Sequence, residues 1–160
     1  MFFWMLVLSV VLAAFHAYRS QDRTRVRVGE LLLVYVLVLY CGVPMVAVSL
    51  GVLVAPERMA TMLPIGPPSP LVSFFGWAYL GMSVIAVMTL RYRGGFLAAA
   101  AIVWAVYFAG ANLVHLQGGA THGTPTSHAA ALMVFATHGI VPVLLLAGMV
   151  LGKPLRQSRP

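Results

Sequence analysis

The chain has 160 residues, of which 61% are hydrophobic and only 8% charged, with a net charge of +7 and a mean hydropathy of +0.96. A water-soluble domain carries about 25% charged residues, so this composition excludes an ordinary soluble fold and points to the bilayer as solvent. Nucleic-acid binding is excluded too, because the Lys and Arg residues lie in short runs between apolar stretches and not on one folded polar face.

A membrane-crossing helix needs about 20 mostly apolar residues at a rise of about 1.5 Å each. Five stretches qualify, the first of them short: residues 1–18, 31–54, 71–90, 96–116 and 129–151. The fold predicted is an all-α polytopic transmembrane helical bundle forming a single domain over 1–160. Residues 1–18 are expected to be retained as a helix, since a cleaved signal peptide has a basic start and Met1-Phe2-Phe3-Trp4 has none. Trp4 then marks the outer interface and Tyr18 the inner one.

The connection 19–30 carries Arg19, Arg23, Arg25 and Arg27. Arg91 and Arg93 follow the third stretch, and Lys153, Arg156 and Arg159 follow the fifth. With five spans, nine of the ten Lys and Arg residues fall on one face and only Arg58, beside Glu57, on the other. Cytoplasmic loops collect positive charge, so the N-terminus is expected outside and the C-terminus in the cytoplasm. The basic 19–30 loop is expected to meet anionic lipid headgroups, each Arg adding about 1 kcal/mol near the surface.

In the second stretch, Pro44 has no N–H for the carbonyl of Tyr40. Cys41 and Met45 lie beside it, and packing is the reading given to both. As the only cysteine, Cys41 excludes an intrachain disulfide. The connection 55–70 opens with a short interfacial helix at Pro56, then stiffens through Pro64, Pro67, Pro68 and Pro70, with Ser69 as the cap of the third span.

Polar side chains inside a bilayer are costly, so their positions carry information. In the fourth stretch Ala101, Ala105 and Ala109 recur every four residues, with Asn112 and His115 close to them in angle. This face reads as a helix-packing seam, with a ligand-facing Asn112–His115 pair as the alternative. In the fifth stretch His138 lies about 15 Å from His128, near mid-bilayer, and Pro142 leaves its carbonyl without an N–H donor. Asn112 and His138 are therefore the candidate cofactor-binding residues, for haem or a small ligand. The acidic residues all lie outside the stretches, which argues against a transporter built on a buried carboxylate.

The connection 117–128 holds His122 and His128, with His115 just before it and Met59 and Met62 in the other outer connection. Three imidazoles suit zinc, and imidazole with thioether suits copper, so His115, His122 and His128 are the candidate metal ligands.

Glu30-Leu31-Leu32 at the start of a span, Gly42-Val43 within it, Ser69-Pro70 before Gly76, Leu80-Gly81, Gly110 and Pro142 together give the chain a resemblance. It resembles an uncharacterised family of small bacterial multi-span membrane proteins of unknown function. The resemblance implies the helical membrane fold and implies no activity. Polar or acidic side chains are expected of such proteins where Val72, Phe74 and His138 stand here.

No nucleophile–base pair, phosphate loop or nucleotide fingerprint occurs in the sequence. The function expected is that of a structural or accessory membrane subunit in a bacterial inner membrane, joined to another membrane protein or to further copies of itself. The alternatives are a metal- or haem-binding membrane protein and a small-ligand membrane enzyme or transporter.

Overall fold

The computed structural model describes residues 2–58, 70–121 and 128–153, with side chains described except at 71, 115–121 and 128–136. Those residues form helices α1 (Phe2–Arg19), α2 (Arg25–Tyr35), α3 (Val43–Val54), α4 (Pro70–Met88), α5 (Gly95–Thr121) and α6 (His128–Gly152). A π-helical segment, Val36–Gly42, joins α2 to α3 without a break. There is no strand among the described residues. Among the described residues, three helices are long and apolar enough to cross a membrane: Phe2–Arg19, Arg25–Val54 and Gly95–Val114. The parts of α4 and α6 whose side chains are described, Val72–Met88 and Thr137–Gly152, are apolar as well.

The second helix begins at Arg25, inside the basic connection and six residues before the apolar run at Leu31. A local cap accounts for the early start. Thr24 is extended, its hydroxyl accepts the N–H of Arg27, and Asp22 accepts the N–H of Thr24 at 3.0 Å. These bonds satisfy donors that a helix N-terminus leaves orphaned, so charge in the first turns is tolerated. The bond from the Thr24 backbone holds the Asp22 carboxyl below the usual carboxylate range.

The π segment ends just before Pro44, where an α-helical ladder would ask the missing proline N–H to serve the Tyr40 carbonyl. The widened turn shifts the ladder, and Val43 donates to Val38. The segment is the centre of the molecule. Val36, Leu37, Tyr40 and Cys41 are fully or almost fully buried, and α1, α4 and α5 all pack around it.

Helix α2 and the π segment run antiparallel to α6, meeting it at Gly29 with Gly152, at Leu33 with Gly148 and at Tyr40 with Thr137. A Cβ on Gly29 would collide with the backbone of Gly152, and one on Gly148 would meet Leu33 at 2.8 Å. Small residues are what let two backbones come this near. On the other side, α4 packs along α3, with Gly76 set against Val52 and Leu53.

Four buried serine and threonine hydroxyls bond to backbone carbonyls three or four residues earlier in the chain. Ser9 donates to Met5, Ser49 to Met45, Ser83 to Tyr79 and Thr89 to Ala86, each at 2.6 Å. Such back-bonding lets a hydroxyl enter an apolar span without a partner helix.

Candidate functional site

Two places concentrate polar chemistry. The first is at mid-depth. Trp104 of α5 is fully buried and its indole N–H donates to the Met82 carbonyl of α4 at 3.3 Å. Phe108, one turn on, stacks on Trp104 and meets both Tyr40 and His138. The Tyr40 hydroxyl donates to the Thr137 carbonyl at 3.3 Å, and Nδ1 of His138 lies 3.0 Å from the Thr137 hydroxyl. His138 is thus half-buried, edge-on to Phe108, with its neighbouring threonine as one polar partner. This arrangement ties the π segment, α4, α5 and α6 together through aromatic side chains whose polar tips reach backbone carbonyls.

Of the residues singled out by sequence, Asn112 is half-buried on α5, one turn beyond Phe108. Ala101 and Ala105 are buried, whereas Ala109 is exposed. The buried stripe instead follows Leu97, Ala101, Trp104 and Phe108. The reason is angular: a repeat of four drifts about 40° per step around an α-helix, whereas steps alternating between four and three stay on one face. His122, Met59 and Met62 lie outside the described residues, as do the side chains of His115 and His128. Among the described residues no three His, Cys, Asp or Glu side chains group as metal ligands.

The second place is the charged end of the bundle. Glu30, in the second turn of α2, takes Arg27 at 3.0 Å on one carboxylate oxygen and Arg93 at 3.5 Å on the other. Arg93 also donates to the Thr89 carbonyl at 2.7 Å. The start of α2, the α4–α5 connection and the end of α6, where Gly152 meets Gly29, therefore come together. Beside them is an open cavity of about 210 Å³, with Arg27, Arg93, His16 and Tyr35 among its lining residues. Nδ1 of His16 lies 3.0 Å from the Tyr35 hydroxyl. The sequence reading missed both the cross-helix pair and the histidine–tyrosine pair. The Arg27 and Glu30 spacing of three was a legible local signal, but nothing in the sequence connects Glu30 to Arg93.

The fold and these sites define a protein that is helical throughout its described elements, with apolar helices compatible with a membrane. The chain belongs to a family of unknown function, DUF6790, which it matches over residues 1–158. No curated protein and no solved structure matches it.

Proposed function

We propose that this protein is a five-span inner-membrane protein of a bacterium, N-terminus outside and C-terminus cytoplasmic, that serves as a structural or accessory subunit packed against another membrane protein. The observation that carries this reading is the outer surface of the helices. Trp4 is 70% exposed, Trp77 64%, Val106 68% and Val150 74%, on four different helices. In water such surface would drive aggregation, whereas in lipid it costs nothing. The charge distribution supports the orientation, since the arginines of α2 and of the α4–α5 connection meet at one end. The packing role is supported by Gly81 and Gly110, both exposed, where an added Cβ would meet nothing within 4 Å. Each leaves a shallow notch in an apolar face, of the kind a neighbouring transmembrane helix uses to approach.

Single-cysteine variants in a Cys41→Ala background test both halves of the proposal. A membrane-impermeant thiol reagent should label position 122 in intact cells and position 22 only after permeabilisation. Labelling of position 22 in intact cells overturns the orientation. A cross-linker placed at Gly81→Cys or Gly110→Cys should give a discrete adduct of higher mass in native membranes. If neither position gives one, the accessory role is wrong, and an adduct of exactly twice the chain's mass replaces the foreign partner with a second copy.

A further inference from the structure

The cavity at the charged end has an order of chemistry along its length. Arg27, Leu31, Val34, Tyr35 and Val38 all line it and lie on one face of α2 and the π segment. From Arg27 to Val38 is eleven residues, a groove of about 17 Å at the α-helical rise. One leaflet of hydrocarbon is about 15 Å thick. The charged groups stand at one end of the groove, a polar pair comes next, and aliphatic side chains continue from there.

At the charged end two guanidiniums share one carboxylate. Arg27 and Arg93 each give Glu30 a contact, and their side chains remain 35% and 38% exposed, against 14% for Glu30. Each guanidinium has five N–H donors, so donors are left over on both. The cluster keeps one net positive charge. Glu30 fixes the two arginines on either side of itself, which prepares them to receive an oxyanion without reorganising.

Deeper, the His16–Tyr35 pair presents one further donor. If the tyrosine O–H donates to Nδ1, the neutral ring carries its proton on Nε2. If Nδ1–H donates to the tyrosine oxygen, the phenolic O–H is left over. In either arrangement one hydrogen is available to a third group. Leu90, 57% exposed, faces the groove from the far end of α4 and completes an apolar wall.

We propose that this groove, between α1, α2 and the end of α4, is a binding site for one anionic phospholipid of the inner leaflet. Its phosphate sits between Arg27 and Arg93, an ester carbonyl accepts the hydrogen of the His16–Tyr35 pair, and an acyl chain lies along Val34 and Val38. The cavity, equal to about seven waters at about 30 Å³ each, holds the headgroup and the start of the chain. A free phosphate ester offers the same charge to the arginines but leaves the aliphatic wall uncovered, so the lipid is the occupant the groove favours. The proposal rests on the membrane-spanning reading given above.

Native mass spectrometry of the full chain released from phosphatidylcholine vesicles with a minor fraction of phosphatidylglycerol tests it. The protein should retain a single phosphatidylglycerol in preference to phosphatidylcholine. Arg27→Gln with Arg93→Gln should lower that retention about tenfold, while Arg23→Gln with Arg91→Gln, which removes the same charge outside the groove, should lower it less than about twofold. Leu39 also lines the cavity; Leu39→Trp leaves every charge in place and narrows the apolar slot, so it should also lower retention, and it keeps the test decisive if the arginine variant does not fold. Equal losses from the two arginine pairs, full retention by Leu39→Trp, or displacement by glycerol 3-phosphate as effective as by a short-chain phosphatidylglycerol would each overturn the site. Failure of the protein to enter vesicles at all would instead remove the membrane reading beneath it.

Discussion

At the charged end, α2 and α6 touch backbone to backbone through Gly29, Gly148 and Gly152, with the arginines and Glu30 close by. At mid-depth the same bundle is held by Trp104, Tyr40 and Phe108, three large aromatic side chains that fill the space between helices. The difference shows two solutions to one problem. Apolar helices in lipid have no hydrophobic drive to associate, so on the membrane reading proposed above they must be held by close packing and by hydrogen bonds. Glycine gives the first by removing the side chain. Tyr40 and Trp104 give both, since each buries a ring and donates its polar hydrogen to a carbonyl of another helix.

The contrast can be broken most severely at its glycine end. Gly29→Leu should destabilise the bundle by about 3 kcal/mol, because the new side chain would have to displace the backbone of Gly152 and Leu151, which cannot move aside as a flexible side chain could. Thermal or denaturant unfolding in detergent micelles measures this. A loss no greater than that of an exposed substitution would show that α2 and α6 do not cross there.

A smaller effect is expected where the small-residue face meets the aromatic layer. Ala105→Leu, at a buried site of α5, should cost about 1–3 kcal/mol through overpacking. Val103→Leu, on the exposed side of the same helix, should stay within about 0.5 kcal/mol. Equal shifts in melting temperature for the two variants would mean the buried face of α5 has been assigned to the wrong side.

The finest distinction concerns the hydrogen bond alone. Tyr40→Phe keeps the ring against Phe108 and deletes only the donor to the Thr137 carbonyl. The expected loss is about 1 kcal/mol, the usual worth of an interhelical hydrogen bond in a membrane protein. A neutral result would assign the Tyr40 contribution to packing and leave the hydroxyl without a stabilising part.

Much of the fold was legible because hydropathy and length are local properties. The apolar runs 1–18, 31–54, 71–90, 96–116 and 129–151 correspond to helices, and Pro44 marks the place where the ladder is disturbed. The ends were less legible. Helix α2 starts at Arg25 because Thr24 caps it, and α5 runs on to Thr121, beyond the apolar stretch. Hydropathy locates what lies in lipid, whereas a helix ends where its backbone bonds run out. Of the candidate site residues, His138 was placed on α6 with Phe108 and Thr137 around it, and Asn112 on the same helix as the aromatic layer. The outer histidine set His115, His122 and His128 stands as an expectation open to direct metal titration.

By itself the sequence determined that this protein is helical and apolar, that its Lys and Arg residues are segregated along the chain, and that its helices carry small residues at intervals. Those are properties of composition and order, legible without any knowledge of which residues touch. Which faces meet was decided only by the tertiary structure. Ala109 looked like part of the seam and is exposed, while Trp104 and Phe108 continue the buried stripe. Glu30 looked like the end of a loop and is instead the carboxylate that holds Arg27 of its own helix and Arg93 of the α4–α5 connection. In a chain so uniformly apolar the hydrophobic pattern does not distinguish a face turned to lipid from one turned to protein. That choice falls to shape and to a few hydrogen bonds between residues far apart in sequence.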